Sequence, residues 1–298
     1  MDAILYGRPP LGLAEQTGQQ TSPLVPGSAD LTSLAEGSVD SATVLAPPGV
    51  LERRWVLAQA LRVLKPGGEL TALAPKDKGG SRLGKELKAF GCEVVESGKA
   101  HHRICLTARP AAPEGIHAAI KAGGPQRVEA LAGLWSQPGV FSWDRVDPGT
   151  ALLMQHLPKL SGAGADLGCG VGVLARAVLR SPGVTALTLI DIDRRAVDAA
   201  RRNVEDARAR FVQVDVRTEA PADLNFVVMN PPFHDAGHET RDLGVAFIQK
   251  AAAALKKGGV LWLVANRHMP YEAPLAAAFA RVKPVVDTGG YKVFEATK

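Results

Sequence analysis

Two short segments of this chain recur at one fixed spacing. Leu64-Lys65-Pro66-Gly67-Gly68 and the run Glu69–Ala74 match Leu255-Lys256-Lys257-Gly258-Gly259 and Val260–Ala265, 191 positions later. Val94-Val95-Glu96-Ser97-Gly98 matches Val285-Val286-Asp287-Thr288-Gly289 at the same offset. One offset shared by separate segments points to a duplicated unit; the alternative is a habit common to α/β chains, in which apolar-glycine patterns recur. A length of 298 residues holds two ordinary domains of roughly 100–200 residues each. The stretch 108–124 is rich in Ala, Pro and Gly and reads as the connection between them. The expected division is a first domain over 1–112, a linker over 113–135 and a second domain over 136–298.

From about Gly164 onward, short β-rich runs alternate with Ala-rich stretches of helical character. That alternation is the signature of βαβ units and a parallel sheet covered on both faces, a Rossmann-like α/β fold. Strands are expected over Ala163–Leu167, Ala186–Ile190, Ala209–Val214, Phe226–Met229, Val260–Ala265 and Tyr291–Ala296.

Composition narrows the function classes. Apolar residues make up 46% and charged residues 22%, enough apolar material for packed cores, so disorder is not the default. No apolar run reaches the ~20 residues of a membrane span, and the opening MDAILYGRPP lacks the regions of a signal peptide. Cys92, Cys105 and Cys169 are odd in number and contain no CxxC, so neither a disulfide framework nor a metal site is expected, and a cytoplasmic location fits. The net charge of +5 permits a polyanionic partner. The excess is shared by both halves, so neither is a basic arm. Arg194, Arg195, Arg201, Arg202, Arg208 and Arg210 form a basic cluster that could grip phosphates or simply be a solvated helix face.

Chemistry concentrates in the second half. Asp166-Leu167-Gly168-Cys169-Gly170-Val171-Gly172 follows an expected strand and precedes an expected helix over 173–180, the context in which a glycine-rich turn binds a nucleotide. Gly168, Gly170 and Gly172 leave a surface free of side chains against which a ligand can lie. Some 20 residues on, Asp191 ends the next apolar strand, placed to accept from the ribose hydroxyls of an adenosine ligand. Asp215 ends the strand after that, as a candidate for the adenine amine or as a cap of the following turn. A dinucleotide enzyme could use such a loop, but the D-x-G-x-G-x-G spacing resembles class I methyltransferases.

After the run 226–229 comes Asn230-Pro231-Pro232-Phe233-His234. Prolines fix φ and remove N–H donors, so the Asn230 side-chain oxygen and the Pro231 carbonyl can stand as a rigid pair of acceptors. A planar NH₂ group donates two hydrogen bonds, and holding both hydrogens aims its nitrogen lone pair at a methyl donor. Phe233 is expected to stack on a base drawn out of its helix. His234 and His238 have the spacing of a helical metal pair, but Gly237 and the lack of further ligands argue against a metal.

The segments DLGCGVGVLA, LTLIDIDRRAVDAARRN, NPPFHDAG followed by Thr240, KKGGVLWLVANRHMPYE and TGGYKVFEA resemble the ribosomal RNA guanine-N2 methyltransferases over about Phe141 to the end. The resemblance implies two Rossmann-like methyltransferase-type domains in tandem, of which only the second binds S-adenosyl-L-methionine. It also implies that Phe141-Ser142 and Gly149-Thr150 fold over the cofactor. The segment leading into the fold looks closer to the small-subunit (16S) type, although Trp143 and Pro148 depart from the usual lead-in. The implied partner is ribosomal RNA within a small subunit, met by a monomer without metal or membrane attachment. In the first half, Val44-Leu45-Ala46-Pro47-Pro48 stands where the second half has Val228-Met229-Asn230-Pro231-Pro232, with Ala46 in place of Asn230. Residues 1–43 contain no acidic-led glycine loop, so the first domain is expected to be a degenerate copy retained for RNA docking or a structural role.

Two other readings remain open. The same clamp serves large-subunit guanine, adenine-N6 and protein glutamine-N5 amines, because each presents a conjugated NH₂. A non-catalytic ribosome-assembly protein could also retain the fold, though Asp166, Gly168, Gly170, Asp191 and Asn230 together in one chain argue against it.

Overall fold

The computed structural model describes residues 3–232, 234–235, 238–239 and 241–298. The chain divides into two compact units, Met1–Gln126 with Gln137–Gly139 and Arg127–Ser136 with Val140–Lys298.

The first unit runs β1 (Ala3–Tyr6), β2 (Gln19–Gln20), β3 (Val39–Leu45), α1 (Val50–Val63), β4 (Leu64–Pro75), α2 (Gly80–Lys88), β5 (Val95–Lys99), β6 (His102–Ala108) and α3 (Ile116–Gly123). Its six strands lie in the order β2-β1-β3-β4-β6-β5. Buried Trp55, Leu57, Leu61 and Val63 of α1 belong to one core with Val44, Leu70, Leu83 and Phe90. Each fully buried side chain of this kind stabilises by roughly 1.5–3 kcal/mol. Residues 113–135, expected as a linker, are not an open connection. Ile116 and Ala119 of α3 join this core. A Cβ on Gly123 would come within 2.4 Å of the Trp55 Cβ, so the glycine lets α3 close onto α1. The Ala-rich composition of 108–124 encodes a small-residue packing helix, and the division falls at 126/127.

The chain continues through β7 (Gln126–Val128), β8 (Leu134–Ser136), α4 (Pro148–His156), β9 (Ser161–Leu167), α5 (Val173–Val178), β10 (Gly183–Asp191), α6 (Arg194–Asn203), β11 (Ala209–Gln213), β12 (Leu224–Met229), β13 (His234–Asp235), β14 (His238–Glu239), α7 (Arg241–Ala254), β15 (Leu255–Asn266), α8 (Glu272–Ala278), β16 (Arg281–Thr288) and β17 (Tyr291–Thr297). The large sheet of the second unit has the order β11-β10-β9-β12-β15-β17-β16. It is parallel from β11 to β15, and β17 is antiparallel to both β15 and β16. All six expected strands are present, most of them longer than expected. β16 joins them, although its first half carries exposed polar residues and no clear alternation.

Side chains alternate across this sheet with period two, as the pleat requires. On β15, Leu261, Leu263 and Ala265 meet Phe247, Ile248, Ala251 and Leu275 of α7 and α8. Trp262 and Val264 point to the opposite face, into the cluster with Leu153, Leu174, Val178 and Ala200 of α4, α5 and α6. Both faces are therefore covered, which is why the strands read as continuous apolar runs.

The two sheets share a plan. α1 and α7 coincide at an offset of 191 residues, as do β4 and β15. In the first unit Leu5 pairs with Thr43 and Thr43 with Thr71; in the second Asp166 pairs with Val228 and Val228 with Trp262, which is 191 residues beyond Thr71. Leu5 therefore stands at the position of Asp166. Val44 pairs with Ala72 as Met229 pairs with Leu263, so the residue at the position of Asn230 is Leu45. Alignment by sequence alone assigned Ala46, one residue later, because the two prolines of the first copy lie one position further along. Where the second unit has a loop and α5, the first has a 12-residue connection without an α-helix.

Arg53, equivalent to Gly244 at the same offset, fills the space beneath the first copy's proline pair. It is fully buried. Its Nε and Nη2 donate to the two Glu86 carboxylate oxygens at 2.7 Å each, and Nη1 donates to the Pro48 carbonyl at 2.7 Å. Gly79 is the residue that admits this guanidinium, since a Cβ there would lie 2.1 Å from Nη1.

Candidate active site

Strand order brings the chemistry together. β9 lies between β10 and β12, so the glycine loop leaving β9 is flanked by Asp191 on one side and Asn230 on the other. This is the carboxyl edge of an open sheet, where such folds bind ligands. The Gly168 and Cys169 N–H groups both donate to the Ile190 carbonyl, at 2.8 and 2.9 Å, which turns the loop sharply across the end of β10. Gly168, Gly170 and Gly172 take φ of +77°, +51° and +86°, values that other L-residues adopt only with strain.

A cavity of about 460 Å³, counting its open mouth, lies over this loop. Of the residues expected at the site, Phe141, Thr150, Asp166, Gly168, Gly170 and Asn230 line it. Phe141 is 57% exposed at its rim, an aromatic ring that no core claims. Gly170 faces open space, with no atom within 4 Å of an added Cβ. Gly172 does something else: a Cβ there would lie 2.9 Å from the Val204 side chain, so this glycine seats α5 against the end of α6. Cys169 lines the cavity with its thiol buried and its pKa pushed well up by burial, which makes it an inert wall.

Asp166 is 1% exposed. Its Oδ2 has no hydrogen-bond partner, and its pKa is pushed up to about 8 by burial and then by the charge of Asp191. An orphaned carboxylate oxygen facing a cavity is a costly arrangement unless a ligand completes it.

Asp191 does not itself line the cavity. Its Oδ2 accepts from the Gly170 N–H and its Oδ1 from the Asp193 N–H, both at 2.9 Å, so it holds the glycine loop in shape from below. Burial raises its pKa to about 6. Asp215 is not brought to the site. Arg217 takes both of its oxygens, at 2.7 and 3.0 Å, and the Arg217 and Thr218 N–H groups bond back to residue 215. The guanidinium holds its carboxyl below the ordinary range, and the residue caps a turn.

Asn230 follows the last residue of β12, with its amide nitrogen facing two oxygens. Its Nδ2 donates to Asp147 Oδ1 at 2.8 Å and to Thr150 Oγ1 at 2.9 Å. Pro231 follows, buried; Phe233 lies outside the described residues. Asp147 and its bond to Asn230 were not singled out by sequence reasoning. Asp147-Pro148 is a legible helix start, Ncap followed by Pro at N1, but nothing local shows that the cap reaches a residue 83 positions away.

The arginine cluster is divided by the fold. Arg195 is buried against Asp193, Arg201 pairs with Asp198, and Arg208 spans Asp206 and the carbonyls of Leu179, Ser181 and Val184. Arg202 lies over the Trp135 ring at 4.9 Å. Much of the cluster is structural.

A seven-stranded sheet with a reversed strand near one edge, a glycine loop after β9 and Asn-Pro-Pro at the end of the adjacent β12 define a class I methyltransferase. The chain belongs to the methyltransferase small domain family, whose model matches residues 132–295. Ribosomal RNA small subunit methyltransferase C of Shewanella loihica is 30% identical over 260 residues, covering 86% of this chain and 76% of its own length. The Pseudomonas aeruginosa protein of the same name is 30% identical over 280 residues, covering 92% and 84%. Among solved structures, the 16S rRNA N2 methyltransferase of T. thermophilus, in complex with AdoMet and guanosine, superposes with a TM-score of 0.78 at 24% identity, over 100% of this chain and 88% of that one. The fold is thus shared over the whole chain.

Proposed function

We propose that this methyltransferase transfers the methyl group of S-adenosyl-L-methionine to the exocyclic N2 amine of a guanine in small-subunit ribosomal RNA. The observation that carries the reading is Asn230. Both hydrogens of its amide nitrogen are taken by Asp147 and Thr150, which leaves its carbonyl oxygen as the acceptor for a substrate NH₂. The names of the relatives support RNA of the small subunit as the substrate, and the guanosine in the T. thermophilus complex supports the base.

The cavity fits the cofactor. Asp166 offers an unsatisfied carboxylate oxygen to a cationic ligand, and Gly170 leaves room for it against the backbone. Gly168, Thr150 and the exposed ring of Phe141 complete the walls, and Asp191 braces the glycine loop through the Gly170 N–H. When bound, the cofactor supplies an electrophilic methyl group on a sulfonium. The protein's part is positioning. Asn230 Oδ1 and the Pro231 carbonyl accept the two amine hydrogens, Phe233 stacks on the base, and the nitrogen lone pair is turned towards the methyl. The first unit, with Leu5 and Leu45 where the second has Asp166 and Asn230, is a degenerate copy serving RNA docking. On this reading the protein works as a monomer in the cytoplasm.

The test is transfer of labelled methyl from S-adenosylmethionine to purified small ribosomal subunits, followed by nucleoside analysis. Label in N2-methylguanosine is the expected result. Label in another nucleoside or in protein would discard the guanine, and no transfer to any of these would discard the reading.

A further inference from the structure

We propose that Asp147 is a positioning residue for methyl transfer, fixing which end of the Asn230 amide faces the substrate. The inference deepens the reading above and rests on it for its kinetic consequence.

An asparagine amide has two ends of nearly equal size and opposite polarity, and rotation of χ2 by half a turn exchanges them. The clamp needs the oxygen end towards the amine. Thr150 Oγ1, 2.9 Å from Asn230 Nδ2, does not enforce this, because a hydroxyl can accept from NH₂ or donate to C=O. Asp147 does. An ionised carboxylate only accepts, so Oδ1 at 2.8 Å must face the NH₂ end. A flipped amide would set two oxygens against each other at hydrogen-bond distance. The bond is charge-assisted, which makes it one of the stronger kinds.

Asp147 is itself held. Its Oδ1 also accepts from the Thr150 N–H at 2.8 Å as the N-cap of α4. A Cβ added to Gly149 would lie 2.7 Å from the Tyr291 ring, so the start of α4 is pressed against β17. One oxygen thus couples a rigid helix start to the reacting centre. Tyr291 registers the same charge: burial and Asp147 together raise its phenol pKa.

Capping and orienting can be separated by substitution. Asp147→Asn presents an acceptor oxygen at the same place for both bonds. Asp147→Ser retains a cap for the Thr150 N–H with an oxygen nearer the backbone, short of the Asn230 amide. Asp147→Ala loses both. The kinetic expectation is a fall in kcat of about 100-fold for Asp147→Ser and Asp147→Ala, the order expected from misplacing a reacting group. Cofactor Kd should stay within about three-fold, and Asp147→Asn should recover to within about ten-fold of the native kcat.

A second readout does not depend on the substrate. The Asn230 side-chain NH₂ protons of the native protein should give two well-separated, slowly exchanging NMR resonances, which collapse and exchange faster in Asp147→Ser but not in Asp147→Asn. Native kcat in Asp147→Ser, or unaltered Asn230 resonances, would overturn the assignment. So would a cofactor Kd weakened as much as kcat falls, since Asp147, which also lines the cavity, would then serve to hold the cofactor. If native protein methylates no guanine, the substrate reading fails, and the resonances alone decide the role of Asp147.

Discussion

Asp166 is expected to couple cofactor binding to pH. Its carboxyl is held at about 8 by burial and by the charge of Asp191, and its Oδ2 has no partner. S-adenosylmethionine carries positive charge at its sulfonium and ammonium, so it binds best to the ionised carboxylate. Below a pKa of about 8 the ionised fraction falls roughly tenfold per pH unit, to about 1% at pH 6. Apparent affinity should therefore fall about 50-fold from pH 8 to pH 6, with about one proton released per cofactor bound at pH 7, seen as a dependence of binding heat on the ionisation heat of the buffer. Asp166→Asn should weaken binding at pH 8.5 and flatten the profile. Folding stability without added cofactor runs the other way. A carboxyl whose folded pKa lies above its unfolded value retains a proton that the unfolded chain has lost, so its contribution is full below about 4 and is lost as pH rises towards 8. A flat affinity profile in the native protein with no proton release would refute the reasoning.

Asn230→Ala should abolish detectable methyl transfer while leaving cofactor affinity within a few-fold, because on the proposed reading Asn230 acts on the amine; equilibrium binding beside the transfer assay checks this. Asp215→Asn should leave cofactor affinity unchanged, since Arg217 already takes that carboxylate, and a ten-fold loss in calorimetry would return Asp215 to the adenine. Arg53→Met should destabilise the first unit by about 3–5 kcal/mol through an uncompensated Glu86. Pairing it with Glu86→Leu should recover most of the loss, read from urea unfolding.

Much of the site was legible because its signals are local. The glycine loop, the carboxylates ahead of and beyond it, and Asn-Pro-Pro each declare a strand end within a few residues, and the parallel sheet then sets three strand ends side by side. Asp215 shows where such reading is ambiguous: a carboxylate at a strand end looks the same whether it faces a ligand or, as here, an arginine two residues on. The stretch 113–135 shows the converse, because small residues that resemble a linker are those a close helix contact needs.

The amino-acid sequence by itself determined the class of fold, the duplication, the glycine loop with Asp166, and Asn230 as the candidate for the chemistry, since periodicity and turn chemistry are written over ten residues or fewer. Only the tertiary structure decided that Leu45 corresponds in register to Asn230, that Arg53 is buried between Glu86 and the Pro48 carbonyl, and that Asp147 bonds the Asn230 amide. Each depends on strand register or on a contact between residues 33 to 83 positions apart, and such contacts exist only once the sheet has brought the segments together.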